Sequence, residues 1–475
     1  MQTHKKFREW KPNDYASTPI SPAAILPEDD LVFFLIELIP QLDLTPIYAH
    51  YERETRGAPP FDVAMMSTLL LYAYSVGVFS SRKIALAGER NVAFIAIVGQ
   101  QHPDFRSISD FRKIHLQALA NLFVEVLQIA GEMGMISLGN LSLDGSKVRA
   151  NASRHKAMSY GYMKKDVERL RSEIASLLQQ AEQTDTEQDA ALGSRRGDEL
   201  PDELHRREAR LAAIEQAMSR LEQAAQEKAD VKRREREQAD AEREARGEKR
   251  RGKEPPPISS EPDDKAQTNF TDPDAKVMKT SNKGFDYCYN GQAVVDEKHQ
   301  IIVGASVTSA ANDQQQAIPL AEQTKQNLTA AGIETPQQED GTDAAIPMTA
   351  DTGYFSEDNV KGLELAGFDP YIATGRTKHH QPQPSAGASD ADSGSSETGS
   401  ETAKEKMSRK LSTPLGRQRY AKRKHIVEPV FGQMKHARGF RQFLLRGLQN
   451  VQGEWTLLCL THNLLKIWRH QCAPK

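Results

Sequence analysis

Three acidic residues stand where a metal-binding site at the rim of a β-sheet would need them. Asp144 follows the strand-like stretch 136–143 and Asp351 follows 346–350, so we expect both acids at strand ends. Glu428 lies further along the chain in a basic, helical segment. Carboxylate oxygens are the ligands that Mg²⁺ and Mn²⁺ prefer, and a pair of such ions can stabilise both oxygens of an in-line phosphoryl displacement. The three acids therefore predict metal-dependent phosphoryl transfer.

Each acid also has a plainer interpretation. An Asp that precedes a Gly, as Asp144 does, is most often a turn residue. Glu428 could instead pair with Lys424 across one helical turn, a weak surface interaction. Pro429 disfavours a helical conformation at Glu428, so either the helix kinks there or a new helix starts at Pro429. In the second case Glu428 would lie at a helix N-terminus, where the helix dipole keeps it ionised.

The C-terminal part of the chain is strongly basic. The 475 residues together have a formal net charge of −3, but between Lys404 and Arg446 thirteen Lys and Arg oppose only Glu405 and Glu428. A segment this basic predicts an anionic polymer as partner, although basic runs also occur in solvated tails. The candidate contacts to such a polymer are Arg423, Lys424, Lys435 and Arg438, with Lys147 from the segment after the first acid.

The composition excludes several other classes of protein. With 38% hydrophobic and 27% charged residues the chain is neither collagen-like nor wholly disordered, and its length suggests about two or three domains. The cysteines, Cys288, Cys459 and Cys472, are scattered, which argues against a zinc site or a disulfide framework and favours a reducing cytoplasm. We find no apolar window of membrane-spanning length and no signal-peptide pattern.

The N-terminal part of the chain predicts helices. Residues 1–27 are polar and punctuated by prolines, so we expect an extended arm. Residues 28–134 show the apolar spacing of short and medium α-helices. Such a helical module could dock on DNA, or its cations could simply cover the outer face of an ordinary bundle. The cations considered as phosphate contacts are Arg82, Lys83 and Arg112.

The segments 135–160 and 265–470 predict an α/β core with a mixed sheet. A strand precedes Asp144, a β-hairpin covers 284–306, and a short strand precedes Asp351. Helical patterns close the chain. Because acids at strand ends project at the rim of a sheet, this arrangement could bring acids from separate elements together.

Two further segments interrupt this core. Residues 161–254 contain two runs of apolar residues at heptad spacing, followed by a charged stretch. These runs predict an inserted antiparallel helical hairpin, with an intermolecular coiled coil as the alternative. Residues 377–414 are expected to form a disordered, low-complexity loop, because residues 381–402 within this segment are rich in Ser, Gly, Ala and Asp.

The three acids lie in the blocks LSLDGSKVRANASRHKAMSYGYM, TADTGYFSEDNV and RYAKRKHIVEPVFGQMKHARGFRQFLLRG. In this order, the blocks resemble the acidic blocks of bacterial insertion-sequence DDE transposases. The stretch PPFDVAMMSTLLLYAYSVGVFSSRKIALAGERNVAFIAIVGQQHPDFRSISDFRK is similar to the N-terminal helical module of one branch of that family. FTDPDAKVMKT and YNGQAVVDEKHQIIVGASVTSAANDQQQ also match that branch.

The resemblance implies an RNase H-like mixed-sheet catalytic core, an all-α N-terminal module and an inserted helical hairpin. It implies that Asp144, Asp351 and Glu428 are the catalytic acids and that they hold Mg²⁺ or Mn²⁺. Asp313, in the sequence Ala-Asn-Asp, is a second choice that ranks below Asp351.

Relatives also have a Tyr, Arg, Glu, Lys signature around the last acid. Arg423 is one residue further from Glu428 than that pattern expects, so Lys424 is the alternative basic residue. The residues that could supply the signature are Tyr420, Arg423, Glu428 and Lys435.

The implied activity is cleavage of double-stranded DNA at the terminal inverted repeats of an insertion sequence. The freed 3′-hydroxyl then attacks target DNA, so no covalent protein intermediate is needed. The resemblance further implies a bacterial, cytoplasmic protein that joins the nucleoid when bound. It would act as a homodimer or larger assembly on DNA, without membrane contact.

Three other functions stay open at this point. A catalytically inactive, repurposed sequence-specific DNA-binding protein would keep the basic surfaces and cut nothing. A scaffold would assemble through the heptad runs. A tyrosine recombinase would attack DNA with a hydroxyl group, although its Arg and His set is not evident here. The hydroxyls considered are those of Tyr160, Tyr162, Tyr354 and Tyr420.

Overall fold

A computed structural model describes most of the chain. The described residues are 8–9, 22–53, 58–99, 101–192, 202–247, 256–280, 284–337, 343–375 and 401–473, with backbone alone at 180–192 and 202–204. The chain divides into two compact units. The main unit comprises Met1–Asn151 and Val277–Lys475, and the inserted unit is Ala152–Lys276.

Helices fill the described N-terminal region of the main unit, which confirms its predicted all-α character. They are α1 (Pro22–Ile25), α2 (Leu31–Leu38), α3 (Thr45–Glu52), α4 (Val63–Ser75), α5 (Ser81–Arg90), α6 (Val92–Val98) and α7 (Phe105–Glu132). The side chains of Asp30, Asp62 and Asp104 cap α2, α4 and α7 by accepting hydrogen bonds from first-turn N–H groups. Nearly every residue of α4 is buried, so this helix forms the centre of the region.

A mixed sheet in the main unit confirms the α/β class. The strands of the described chain are β1 (Leu141–Arg149), β2 (Ala157–Ser159), β3 (Gln267–Asn269), β4 (Lys276–Lys279), β5 (Phe285–Asp296), β6 (Ile302–Thr308), β7 (Ile346–Ala350) and β8 (Phe368–Ile372). The order in the sheet is β4-β5-β1-β7-β8, with β6 also paired to β5. β1 is antiparallel to β5 and parallel to β7, and β7 is parallel to β8.

β1 lies further along the chain than the predicted strand 136–143, because it begins at Leu141 and ends at Arg149. The Asp-Gly pair suggested that the strand ends at Asp144, but the pairing with β5 continues until Arg149 lies opposite Cys288. Backbone hydrogen bonds to β5 therefore override the local turn preference of Asp-Gly, and Asp144 lies within the strand. β7, in contrast, ends at Ala350, immediately before Asp351, as predicted.

Pro429 does not end the helix that contains Glu428. α13 passes through Pro429, so Glu428 lies inside a helix rather than at a new N-terminus. Proline cannot donate to the carbonyl of His425, and the side-chain amide of Gln300 donates to that oxygen instead, at 2.9 Å. The helices that follow β1 in the described chain are α8 (Tyr160–Leu192), α9 (Asp202–Ala245), α10 (Ala317–Ala330), α11 (Glu357–Leu365), α12 (Ala403–Ser412), α13 (Pro414–Gly432) and α14 (Leu448–Gln471). A π-helical turn, Gln433–Ala437, follows α13.

Part of the segment 377–414 is helical rather than a loop. Its described portion starts at residue 401, and α12 begins at Ala403. Thr402 and Glu405 form a capping box at that helix start. The rest of the expected low-complexity loop, and most of the expected N-terminal arm, lie outside the described residues.

In the inserted unit, α8 and α9 pack against each other as a helical hairpin. Tyr160 donates to Glu222 at 2.6 Å, and Arg171 pairs with Glu215 at 2.6 Å, so the two helices run in opposite directions. The two heptad runs therefore meet within one chain, which is the first of the two expected alternatives. The buried residues of their interface are Met163, Val167, Leu170, Ile214 and Ala217.

α7 is long and apolar enough to span a membrane, judged by length and composition alone. The bent pair Leu31–Gln41 and Thr45–Glu52 passes the same test if it is counted as one span. However, 50% of the apolar window of α7 is buried inside the protein. α7 packs against α14, α5 and α10, so the apolar character of this helix is weak evidence for a membrane span.

Candidate active site

Asp144 lies in β1, and Asp351 directly follows the neighbouring strand β7. In the parallel pair β1 and β7, Leu143 is opposite Ala350, so the next residues along the two strands are Asp144 and Asp351. Adjacent strands lie about 4.8 Å apart, and the two carboxyl groups therefore leave the sheet from neighbouring positions. Asp351 also caps the turn that follows, because its Oδ1 accepts a hydrogen bond from the N–H of Gly353 at 2.8 Å.

One guanidinium group connects the first acid to the third. Arg423 donates from Nη1 to Asp144 Oδ2 at 3.1 Å, and its Nη2 lies 3.9 Å from Glu428 Oε1. These nitrogens belong to one rigid planar group, so Asp144 and Glu428 flank the same cation. Of the two candidate basic residues, Arg423 thus faces the acids, whereas Lys424 is exposed to solvent.

Asp313, the second choice for the second acid, belongs to the same cluster. A methyl group on Gly145 would lie 2.9 Å from Asp313 Oδ1. A methyl group on Gly353 would lie 3.5 Å from Asp313 Oδ2 and 3.1 Å from Asp351 Oδ1. Asp313 therefore fits against the glycines that follow Asp144 and Asp351, where larger side chains would crowd the carboxylates.

Two amide side chains of β5 hold Asp313 in place. Asn290 Nδ2 and Gln292 Nε2 donate to Asp313 Oδ1 at 2.6 and 2.8 Å. The buried hydroxyl of Tyr354 donates to Oε1 of Gln292, which orients that amide. Our sequence reasoning missed both amides, although two polar residues in a strand that is otherwise largely apolar and buried were a usable signal. Buried amides need partners, and here the partner is a carboxylate.

The acidic cluster is short of positive charge. Burial raises the pKa of Asp144 to about 6, even though Arg423 and the N–H of Gly145 lower it. The charges of Asp351 and Asp313 raise it further. One guanidinium therefore serves several carboxylates, and an added cation would stabilise the ionised cluster.

The oxygen donors of this cluster suit a hard divalent cation, but their arrangement is not that of a finished metal site. Carboxylates are the ligands that Mg²⁺ and Mn²⁺ prefer. Among the described residues, no three His, Cys, Asp or Glu side chains are grouped so that they could hold an ion. Glu428 meets Asp144 through Arg423 rather than directly. The donor chemistry fits the metal, and the third acid would have to move closer to complete a three-ligand site.

Lys435 is held against the strand that contains Asp144. It lies in the π-helical turn, and its Nζ donates to Ser146 Oγ at 2.6 Å and to the carbonyl of Lys147 at 2.7 Å. Burial lowers the pKa of Lys435. The side chain of Lys147 is partly exposed next to it. Lys435 thus links the segment after α13 to β1, two residues from the first acid.

Two arginines that we predicted to contact DNA are buried instead. Arg438 is 7% exposed and donates to the carbonyls of Tyr74 at 2.8 Å and Leu458 at 3.2 Å. Arg112 is 5% exposed and donates to the carbonyl of Phe79 at 2.8 Å. The prediction was wrong for both residues, because counting basic residues does not show which of them the fold turns inward.

Two of the other candidate cations lie at the surface of the N-terminal region. Arg82 and Lys83 are exposed on α5. The guanidinium of Arg82 lies 5.1 Å from the ring centre of Phe105, and that of Arg106 lies 5.6 Å from the same centre. Such groups can reach a phosphate backbone, and their contact with DNA stays a prediction.

Three of the four tyrosines considered as nucleophiles are poorly placed for attack. Tyr354 is buried and its hydroxyl is bonded to Gln292. Burial raises the pKa of Tyr420, which disfavours the phenolate. In the inserted unit, the hydrogen bond to Glu222 is the main factor that raises the pKa of Tyr160 to about 12, and Tyr162 is 58% exposed.

Comparison with protein families gives two matches. Residues 391–468 match the family described as transposase DDE domain, and residues 21–114 match the family described as transposase domain (DUF772). The first match contains α13 with Arg423 and Glu428, and the second spans α1 to the start of α7. No curated protein and no solved structure gave a significant match. The two family matches, on separate parts of the chain, support a DDE transposase of the insertion-sequence kind.

Proposed function

We propose that this protein cuts DNA at the ends of an insertion sequence and joins those ends to target DNA, with Mg²⁺ or Mn²⁺ as cofactor. The observation that carries the proposal is that two acids at neighbouring positions of the sheet and one acid on a helix lie around the guanidinium of Arg423. Asp144 and Asp351 are neighbours across β1 and β7, and Glu428 shares the guanidinium of Arg423 with Asp144. An RNase H-like core, a bacterial cytoplasmic location and action as a homodimer or larger assembly belong to the same proposal.

The acids would hold the divalent ions that DDE transposases generally use. Bound ions of this kind stabilise the charge on the attacking and leaving oxygens of a phosphoryl displacement. Arg423 offsets the repulsion between Asp144 and Glu428 and so keeps the two acids close together. Asn290 and Gln292 fix Asp313 beside them, which adds a further negative charge to the cluster.

The reaction on DNA needs no nucleophile from the protein. Water attacks the phosphodiester at the element's end, so that one P–O bond forms, another breaks and a 3′-hydroxyl is released. That hydroxyl then attacks a phosphodiester of the target, with the same exchange of bonds. The protein contributes the position and the electrostatic environment of the reacting phosphate.

The exposed cations would hold the DNA backbone around this chemistry. Lys424 is exposed on the helix that contains Glu428, and Lys147 is partly exposed on the strand that contains Asp144. Arg82 and Lys83 offer a second basic surface on the N-terminal helices. Binding to terminal inverted repeats and to target DNA should therefore weaken steeply as the salt concentration rises.

Cleavage of a duplex with the element's inverted repeats, measured in Mg²⁺ and in Mn²⁺, tests the proposal. Asp144→Asn keeps the side chain's shape but loses its charge, so we expect cleavage at least about 1,000-fold slower than wild type. Asp29→Asn, which changes an exposed carboxylate at the start of the helical region, is the matched control. Cleavage by Asp144→Asn at the wild-type rate would contradict the site. A wild-type protein that binds the repeats and cuts with neither ion would instead be a repurposed DNA-binding protein.

A further inference from the structure

A buried hydrogen-bond network joins the N-terminal helices to the C-terminal part of the main unit. The hydroxyl of Tyr74, on α4, donates to Glu454 Oε1, on α14, at 3.1 Å. Both residues are fully buried. Glu454 Oε2 accepts the backbone N–H groups of Leu444 and Leu445 at 3.0 and 3.1 Å. One acid therefore ties α4 to the residues that precede α14.

Arg438 also links the N-terminal helices to the C-terminal part of the main unit. Its Nε and Nη2 donate to the carbonyl of Tyr74 at 3.1 and 2.8 Å. Its Nη1 donates to the carbonyl of Leu458 at 3.2 Å, and Nη2 also donates to the hydroxyl of Thr461. Gly77 has φ +81°, and a methyl group there would lie 2.5 Å from the carbonyl oxygen of Arg438. The end of α4 thus packs directly on the backbone at residue 438.

Residues 438–447, which we name the connecting segment, lead from the π-helical turn to α14. Their first residues close that turn, since the N–H groups of Arg438 and Phe440 donate to carbonyls at 433 and 434, both at 2.9 Å. Further along, the N–H of Phe443 donates to the carbonyl of Arg149 at 2.9 Å. The connecting segment therefore lies between α4 and the end of β1, the strand that contains Asp144.

Such a network is costly unless every member finds a partner. Buried charged groups lose their hydration, and hydrogen bonds to them must offset that loss. The guanidinium of Arg438 and the carboxylate of Glu454 meet partners on α4, on α14 and in the connecting segment. Arg112, on α7, also donates from Nη1 to the hydroxyl of Tyr74 at 3.4 Å, while its Nε has no partner among the described residues. The hydrogen bonds of Arg438 and Glu454 favour one arrangement of the three segments over others.

We propose that Tyr74, Arg438 and Glu454 are positioning residues for the acidic cluster, an inference that rests on the proposed function. They lock the connecting segment and thereby the π-helical turn, so that Lys435 stays bonded to the backbone beside Asp144. The N-terminal helices accordingly have a second role besides DNA binding, because they hold the geometry at the end of the catalytic helix. They do so from a distance, and none of the three residues touches the reacting groups.

Tyr74→Phe in the full-length protein tests the proposal, because it removes one hydroxyl and keeps the ring packing. We expect kcat for cleavage to fall about tenfold while KM for the inverted-repeat duplex stays within about twofold. Tyr72→Phe is the matched control, since Tyr72 lies on the same helix, is mostly buried and packs on Phe94 outside the network. A merely structural role would lower the unfolding midpoint of Tyr74→Phe and leave kcat of the folded protein unchanged, and this result would overturn the proposal.

A double-mutant cycle that combines Tyr74→Phe with Lys435→Ala tests the same proposal in a second way. If Tyr74 acts through Lys435, kcat of the double variant should fall by the same factor as kcat of Lys435→Ala alone. If the two factors multiply in the double variant, the residues act independently, and this result would contradict the proposal.

Hydrogen exchange, without DNA or ions, separates this inference from the proposed function. Amides of 433–447 should exchange faster in Tyr74→Phe than in Tyr72→Phe, and equal rates would overturn the positioning role. A wild-type protein that cuts no DNA would overturn the proposed function, while the exchange result would still decide whether the network fixes the connecting segment.

Discussion

The main unit contains two clusters of charged side chains that are built in opposite ways. Around Arg423, several carboxylates share one guanidinium, and burial raises the pKa of Asp144. Around Tyr74, the charged groups of Arg438 and Glu454 are buried and meet hydrogen-bond partners in the surrounding helices. The first cluster lacks positive charge and is partly exposed. The second is closed to solvent and contains two cations for one carboxylate, because Arg112 also donates to the hydroxyl of Tyr74. Incomplete neutralisation, rather than the number of charges, therefore distinguishes a candidate ligand site from a structural one.

The largest effect should come from removing an acid of the first cluster. Asp351→Asn should cut inverted-repeat DNA at least about 1,000-fold more slowly than wild type, because a carboxylate that would hold the divalent ion is lost. Its thermal unfolding midpoint should stay within about 2 °C, since like-charge repulsion is relieved. Initial cleavage rates in saturating Mn²⁺ and a thermal scan measure both quantities. A variant that cuts within threefold of wild type would remove Asp351 from the site.

A large effect on stability, in contrast, should come from the second cluster. Arg438→Met keeps much of the side-chain volume but removes the guanidinium that donates to the carbonyls of Tyr74 and Leu458 and to the hydroxyl of Thr461, so we expect a loss of about 2–3 kcal/mol in unfolding free energy. Arg417→Met is the matched control, because Arg417 is exposed and should change stability by less than about 0.5 kcal/mol. Chemical denaturation compares the two variants. Similar midpoints would mean that the buried cluster contributes no more than a surface arginine.

A smaller effect, on the affinity for divalent ions, should distinguish Asp313 from exposed carboxylates elsewhere in the chain. Asp313→Asn should weaken Mn²⁺ or Ca²⁺ binding about tenfold in calorimetric titrations, because one charge beside the other acids is lost. Asp358→Asn, which alters an exposed acid at the start of α11, serves as the control. If both variants bind the ions equally well, Asp313 does not contribute to ion binding and only packs against Gly145 and Gly353.

The sequence predicted the parts of the fold that depend on local pattern. The helical N-terminal region, the strand before Asp351 and the hairpin of β5 and β6 all follow from apolar spacing and turn residues. The neighbouring positions of Asp144 and Asp351 were also predicted, although for a partly wrong reason: Asp144 lies within β1, and the register that pairs Leu143 with Ala350 makes the two acids neighbours.

Features that depend on tertiary packing were not predictable from local pattern. The pair Asp144-Gly145 predicts a turn, and only the pairing with β5 keeps β1 extended at these residues. Arg112 and Arg438 looked like surface cations, and only the packing of α4 against α14 and the connecting segment buries them. Lys424 and Arg423 could not be told apart by spacing, because a continuous helix through Pro429 decides which of them faces Asp144.

The last prediction concerns pH and tests most directly the contrast between the two charged clusters. The pKa of Asp144 is raised from the usual 3.8 to about 6 in the folded protein, so the folded state holds this proton more tightly than the unfolded chain does. Tighter proton binding at Asp144 therefore stabilises the folded state fully below about pH 4, and this stabilisation is lost as the pH rises through about 6. Ion-free wild-type protein should thus lose about 2 kcal/mol more stability than Asp144→Asn between pH 4 and pH 7.5, as measured by denaturant midpoints. Added Mn²⁺ should restore part of that loss in the wild type alone, because it supplies the missing positive charge. If both proteins show the same pH dependence, Asp144 is not short of positive charge, and the contrast between an open and a closed cluster no longer holds.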